Sequence, residues 1–429
     1  MEFRAKAKLL WSEVKRRLWI IPIIYSVSAI AVVVFASRVD VMFPDFPTFE
    51  IPVEAIEGLL SIIASSMLAV TIFAVSVLNS AFSTAVGNTS PRAFEVLVAD
   101  GSTKQALSSF VGAFIFAVIG LIGLNTEAFG EGGRTVMFLM TLAVFVWVVG
   151  TFVYWIDYVT HLSHMRSTIR RLSESAEDVL ALHLARPGRG ATPTPQEPDP
   201  SLWGAPVTAG EAGVIKTLSV SALKDVAEAH DFVIRVLLRA GHMVGRETVI
   251  AEVKTGKLTD EARDAVRSAF VISYDRDSDQ DPEMSIRLLS EVGERALSPG
   301  VNDPGTAMDV LNAITRMFGR AFAKAEDAEP PTISDRVFLP IIAPEVFMKA
   351  AFAQIARDGA GTVEVAERLQ HSLEAVAHSA PPEFAVKARA MADIALIRAE
   401  DALQYEWEKA RVREAAAWSL GDERTVPIV

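Results

Sequence analysis

The sequence contains no cysteine, which excludes disulfides, thiolate metal sites and a cysteine nucleophile. Its seven histidines are scattered and form no His-Glu-x-x-His pattern, so no metal centre is expected. Basic residues are outnumbered, 41 against 53 acidic ones, for a net charge of −12. Nucleic acid requires a basic face to neutralise phosphates, so it is not an expected partner. The phosphate-binding loop, the dinucleotide fingerprint, the nucleophile elbow and the kinase elements are all missing. Neither an enzymatic activity nor a cofactor is therefore expected. Hydrophobicity is in surplus: apolar residues make up 51% of the 429, concentrated before residue 160.

That surplus falls into four apolar stretches, about 18–37, 59–83, 106–125 and 136–159, uncharged until Asp157 near the end of the last. Each matches the roughly 20 residues that a helix needs to cross hydrocarbon. The first has a basic start and a small-residue exit at Val34-Phe35-Ala36, like a cleaved signal peptide. Its apolar run exceeds the roughly 7–15 residues of such a segment, so a retained helix is expected. Lys and Arg near the span ends set orientation. Arg4, Lys6, Lys8, Lys15, Arg16 and Arg17 precede the first span, and Arg166, Arg170 and Arg171 follow the fourth. The first loop is acidic, with Asp40, Asp45, Glu50, Glu54 and Glu57 against Arg38. The bias predicts a multi-pass protein of the bacterial inner membrane with both termini in the cytoplasm.

On a helical wheel the second span has a polar side: Ser61, Ser65, Ala69, Ser76, Asn79, Ser80 and Ser83, interrupted by Ile72. Two readings are open. Small residues spaced by four allow close helix packing. Alternatively, the stripe lines a pore between copies, with Ile72 as an apolar constriction. At the end of the fourth span, Asp157, His161 and His164 share a helix face. They are a candidate proton- or ion-sensing cluster at the interface, or ordinary anchoring beside an aromatic belt of Trp155 and Tyr158.

Beyond the spans, a helical extension and a Pro-rich linker fill 166–204. The stretch "ARPGRGATPTPQEPDPSLWGAP" has a composition unsuited to a packed core. A small β-containing module is expected over 205–258. There "FVIRVLL" and "TVIAEV" are joined by "RAGHMVGRE", with Gly241 and Gly245 supplying the turn. The run "GHMVGRETVI" is similar to the barrel-sandwich modules of biotinyl and lipoyl carriers, but no Lys occupies a hairpin tip. Residues 259–429 read as a helical domain. Thr259 is a candidate N-cap for "TDEARDAVRSAFVI". Asp275, Asp277, Asp279 and Asp281 alternate like a calcium loop, yet the required Gly and closing Glu are missing. Asp281-Pro282-Glu283 reads instead as a helix start with Pro at its first position. That helix should stop at Ser298-Pro299-Gly300, and Asn302 or Asp303 should cap the next one, opening at Pro304. Ala-rich amphipathic segments between 340 and 418 predict a helical bundle or subunit contact.

The segment "RALSPGVNDPGTA", 295–307, resembles the signature of the DUF2254 family, bacterial membrane proteins of unknown function. "RRLWIIP" at the first span and "SPRAFEVLVADGSTKQALSSFVGAF" between the second and third add to the likeness, as does Arg276-x-x-x-Gln280-Asp281. This chain departs from the family pattern at Asp277, where Thr is usual, at Met284-Ser285, where Phe-Gly is usual, and in its shifted histidines. The resemblance implies four spans and a cytoplasmic domain, and supplies no activity to carry over.

Ser298, Asn302, Asp303 and Thr306, with Arg276, Gln280 and Asp281 on the same pocket, could hold a small molecule or ion. Equally, the loop could be a corner whose polar residues satisfy their own backbone. The fold expected is a mainly α membrane protein, with a four-helix transmembrane domain over 1–165 and a cytoplasmic α+β domain. The function expected is a homo-oligomeric pore conducting an ion and gated by that domain. The alternative is a membrane-anchored sensor or scaffold with dry spans and a ligand-binding cytoplasmic domain.

Overall fold

A computed structural model describes residues 20–43, 47–88, 101–162, 165–194, 204–254, 257–276, 278, 280–329 and 332–419. The chain divides into two compact units, one formed by the apolar N-terminal region and one beginning at Thr168.

The N-terminal unit contains α1 (Ile20–Ala36), the single turn α2 (Val39–Met42), α3 (Val53–Asn88), α4 (Gly101–Asn125) and α5 (Glu131–Leu162). Three helices among the described residues are long and apolar enough to cross a membrane, within Val53–Ser80, Gln105–Asn125 and Glu131–Val159. The expected first span is represented by the 17 residues of α1, and its start at 18–19 lies outside the described residues. So do Arg4, Lys6, Lys8, Lys15, Arg16 and Arg17, whose charge bears on orientation.

α4 forms the middle of this unit, packing on α1 and α5. Small residues let the backbones approach. A Cβ on Gly112 would lie 2.8 Å from Tyr25 Cβ, and one on Gly120 would lie 3.0 Å from Met137 and 3.1 Å from Leu60. α3 contributes a narrow seam of Ile56, Leu60, Ile63, Met67, Ala74 and Leu78, all buried. The offsets of three, four and seven are those of a left-handed helix contact. Trp155 is also buried, with Phe110 at 6.3 Å edge-on and Phe152 at 6.3 Å stacked. Trp155 is thus an internal packing residue rather than part of a lipid-facing aromatic belt.

One carboxylate closes the α1–α5 corner. Asp40 Oδ1 accepts from Gly132 N at 2.7 Å and Oδ2 from Gly133 N at 3.0 Å. The acid thereby satisfies donors in the first turn of α5 and complements its dipole. A Cβ on Gly130 or Gly132 would meet the carboxylate at 2.8 or 2.9 Å, so the glycines make room for it.

The C-terminal unit opens with α6 (Met165–Ala185), followed by β1 (Ala191–Thr194), β2 (Ala205–Thr208), β3 (Gly213–Leu218), α7 (Val220–Ala229), β4 (Val233–Val236), β5 (Met243–Val244) and β6 (Val249–Lys254). Next come α8 (Asp260–Ser268), β7 (Phe270–Ser273), α9 (Pro282–Leu297), α10 (Pro304–Glu326) and β8 (Ser334–Pro340). The chain then continues as α11 (Pro344–Asp358), α12 (Val363–Ser379), α13 (Pro382–Ala402) and α14 (Glu406–Ala416).

Five strands form one sheet in the order β1-β8-β4-β6-β2. β8 lies parallel to both β1 and β4, and the other pairs are antiparallel. A second sheet has the order β5-β3-β7. The sheets therefore draw on residues 191 to 340 rather than on 205–258 alone. β1 comes from the expected linker, and its Ala191 is 1% exposed. β7 and β8 come from the region read as helical. In "TDEARDAVRSAFVI" the helix ends at Ser268, and the apolar remainder pairs with β3. The expected hairpin is replaced by a longer path. β4 and β6 do pair, but the chain between them visits the second sheet as β5. Arg235 and Glu252 face each other across β4 and β6 as a buried ion pair.

The helices from α9 onward form a bundle in which α9 packs on α10 and α11, and α12 on α10, α13 and α14. A chain of rings, Phe318–Phe352, Phe318–Phe322, Phe322–Phe384 and Phe384–Phe347, fills its middle at centroid distances of 5.2 to 6.2 Å. α6 lies against α10, where Lys324 Nζ bridges the buried Glu177 at 2.6 Å and Asp178 at 2.9 Å.

Candidate functional site

The polar stripe of the second span sits on the outside of the unit. Ser65, Ala69, Ile72, Ser76, Asn79, Ser80 and Ser83 are all exposed, as is Ser61. Packing within the unit uses the other face, because the seam from Ile56 to Leu78 already occupies the bundle. The close-packing reading of the stripe therefore finds no helix of the same chain to pack on among the described residues. Ser65 Oγ donates to Ser61 O at 2.8 Å, so this hydroxyl is satisfied without leaving its own helix. In the interface cluster Asp157 is exposed, while the His161 side chain and all of His164 lie outside the described residues.

The expected pocket joining Arg276, Gln280 and Asp281 to the 298–306 loop does not form. The two groups occupy opposite ends of α9, whose 16 residues separate them by about 24 Å at 1.5 Å per residue. At the N-terminal end, Asp281 is the N-cap, its Oδ1 accepting from Met284 N at 3.0 Å. Its Oδ2 accepts from Arg276 Nε at 2.8 Å and from Nη2 at 2.5 Å. Burial raises the Asp281 pKa, against the pull of the Arg276 guanidinium and the Met284 N–H. Gly241, at φ +94°, lets the chain pass over this pair: a Cβ there would lie 2.3 Å from Asp281 Oδ2. Gln280 ties the corner to β3, its Oε1 accepting from Leu218 N at 3.0 Å. Asp277 and Asp279 lie outside the described residues.

At the other end, the dense turn satisfies itself. Val301 N and Asn302 N donate to Ser298 O at 3.0 and 2.9 Å, and Asp303 N to Ala296 O at 2.7 Å. Ser298 Oγ donates to Arg295 O at 2.6 Å. Asn302 takes the left-handed conformation at φ +49°, which Asn tolerates better than most residues. Asp303 is the cap, accepting from Thr306 N at 3.0 Å and Thr306 Oγ1 at 2.6 Å. These bonds lower its pKa. Pro304 follows as the first helical residue. Pro299, Gly300, Asn302 and Asp303 are exposed, and Ser298 and Thr306 are half-buried. The turn is thus a capped corner with its polar groups largely engaged in it.

A cavity of about 30 Å³ opens beside Gln280, lined also by His183 from α6, Arg189 from the turn before β1, and Arg239 after β4. That volume is room for a water or two. His183 lies edge-on to Phe347 at 5.5 Å. Burial, then the charges of Arg239 and Arg189, hold its pKa down to about 3, so the ring is neutral near pH 7. Burial likewise lowers Arg239 to about 10. Of these four residues only Gln280 stood out in the sequence. His183, Arg189 and Arg239 carry only weak local signals: an Arg between two glycines, and another at the end of an apolar run.

A family model described as "Predicted membrane protein (DUF2254)" matches residues 15–375. Two uncharacterized proteins, of Mycobacterium bovis and Mycobacterium tuberculosis, are each 24% identical over 230 residues. The match covers 51% of this chain and 44% of each relative, so it spans less than half their length. No solved structure matches.

Proposed function

The chain belongs to the DUF2254 family of predicted membrane proteins, and from that premise we propose a homo-oligomeric inner-membrane protein in which the polar faces of α3 from several copies line an ion-conducting path. The observation that supports this is the exposure of the whole stripe from Ser65 to Ser83, while the opposite seam is consumed by internal packing. A serine can bond back to its own helix, as Ser65 does. Asn79 asks for more: an unpaired amide in pure hydrocarbon costs roughly 4–8 kcal/mol. A partner copy or a water column would supply what the amide needs. Ile72, midway along the stripe, would act as the apolar constriction. The charge bias of the span ends puts both termini in the cytoplasm, with the C-terminal unit assembling or gating the path.

Ion flux in liposomes tests the reading, with wild type compared to Asn79→Leu and Ile72→Ser. The expected result is flux that Asn79→Leu suppresses and Ile72→Ser increases. Silence of all three proteins across several salts and pH values would sink the pore. A sensor or scaffold with dry spans would then be the better account.

A further inference from the structure

Two guanidiniums converge on the cavity beside Gln280, and neither has a carboxylate partner among the described residues. Arg239 Nε has essentially no exposed surface and no hydrogen-bond partner there. The two carboxylates whose charge it feels are engaged elsewhere. Asp281 is held by Arg276 and Glu283 by Arg287, each with a closest contact of 2.5 Å. Among the described residues, no Asp or Glu lines the cavity. Gln280 gives its Oε1 to Leu218 N, which fixes the amide and leaves its NH₂ to donate. Arg189, exposed at the rim, is held at φ +51°, a conformation uncommon for a residue with a Cβ. Apolar side chains such as Leu182, Leu218 and Leu339 complete the wall. A largely buried cation with no counter-charge among the described residues is costly, and an anion at the cavity mouth would relieve that cost.

We propose that the open mouth of this cavity, whose interior has room for only a water or two, binds a small oxyanion group of phosphate type, gripped by Arg239 and Arg189 with Gln280 as a neutral donor. Two guanidiniums match a dianion, and their planar forks suit tetrahedral oxygens. His183 is the built-in reporter. Burial, and after it the two arginine charges, keep its ring neutral, and a bound dianion would offset the arginine part and raise its pKa. His242 nearby is also held down by burial, and the facing carboxylates are Asp281 and Glu283. The inference concerns the C-terminal unit alone and stands whether or not the spans conduct.

The test uses the full chain in phosphate-free detergent at constant ionic strength. Sodium phosphate, glycerol 3-phosphate and acetate are titrated while the unfolding temperature and the His183 ring resonance are followed. Phosphate should raise the unfolding temperature progressively and shift the His183 signal, and acetate should do less. Loss of one charge-assisted contact in Arg239→Gln should weaken binding by about tenfold or more. Arg189→Gln, an exposed substitution that leaves the core intact, should weaken it too, and it keeps the test decisive where Arg239→Gln does not fold. Tighter binding of glycerol 3-phosphate would identify the phosphate as part of a larger molecule or lipid headgroup, and equal binding a free ion. No response of wild type to either phosphate compound, or an undiminished response in Arg189→Gln, would overturn the proposal.

Discussion

His183 makes the C-terminal unit acid-sensitive from about pH 6.5 downward, a loss that begins above the ordinary carboxylate range. The unfolded chain takes up a proton on this ring near pH 6.5, while the folded state refuses it until about pH 3. Stability is therefore complete above pH 6.5 and is lost as pH falls from there towards 3. Each unit in that window removes about 1.4 kcal/mol, so roughly 2 kcal/mol is gone by pH 5. His183→Leu removes the titrating ring and leaves an apolar side chain beside Phe347, its neighbour at 5.5 Å. The assay is denaturant unfolding of wild type and variant at pH 7 and pH 5 in phosphate-free buffer. The buried His242 stays in both proteins and cancels in the difference. Wild type should lose roughly 2 kcal/mol more than His183→Leu between the two pH values. Parallel losses in the two proteins would refute the reasoning, because they would mean that the folded environment does not resist the proton.

Two further contrasts follow from the ends of α9. Asp281→Ala removes a buried cap and strands Arg276, which should cost about 3 kcal/mol in unfolding experiments, whereas Asp303→Ala removes only an exposed cap and should cost about 1 kcal/mol. The Asp303 contribution should be present at neutral pH and disappear as pH falls below the ordinary carboxylate value of 3.8, because its folded pKa is lowered. Gly241→Ala should cost at least 1–2 kcal/mol for the left-handed backbone alone, with more for displacing the Asp281 carboxylate. Gly300→Ala adds its methyl to open space and should change stability by under about 0.5 kcal/mol. Equal melting shifts for the two glycine variants would show that the Gly241 contact does not constrain the fold.

The helix starts were legible because a cap is a local device. Thr259, Asp281 and Asp303 each accept from a backbone N–H three residues ahead, with Pro following at the last two. The three long apolar helices were legible because bilayer thickness sets a length that composition alone can meet. The two faces of the second span could be told apart by period, but not which of them was buried. That depended on Leu60 finding Gly120 and Met137 on other helices. β1 and β8 escaped notice for a related reason. Each is short, and their pairing joins Thr192 to Phe338, so the burial that makes them strands is created by a distant partner.

The cavity is the extreme case. His183, Arg189 and Arg239 come from separate stretches of the chain, and nothing around any one of them marks a site. The sequence by itself determined the three helices long and apolar enough to cross a membrane, the capped corners and the family, all properties of residues within a turn or a run. Tertiary structure alone decided which face of α3 stays outside and which arginines meet at the cavity beside Gln280. Both depend on the surfaces that distant segments bring together.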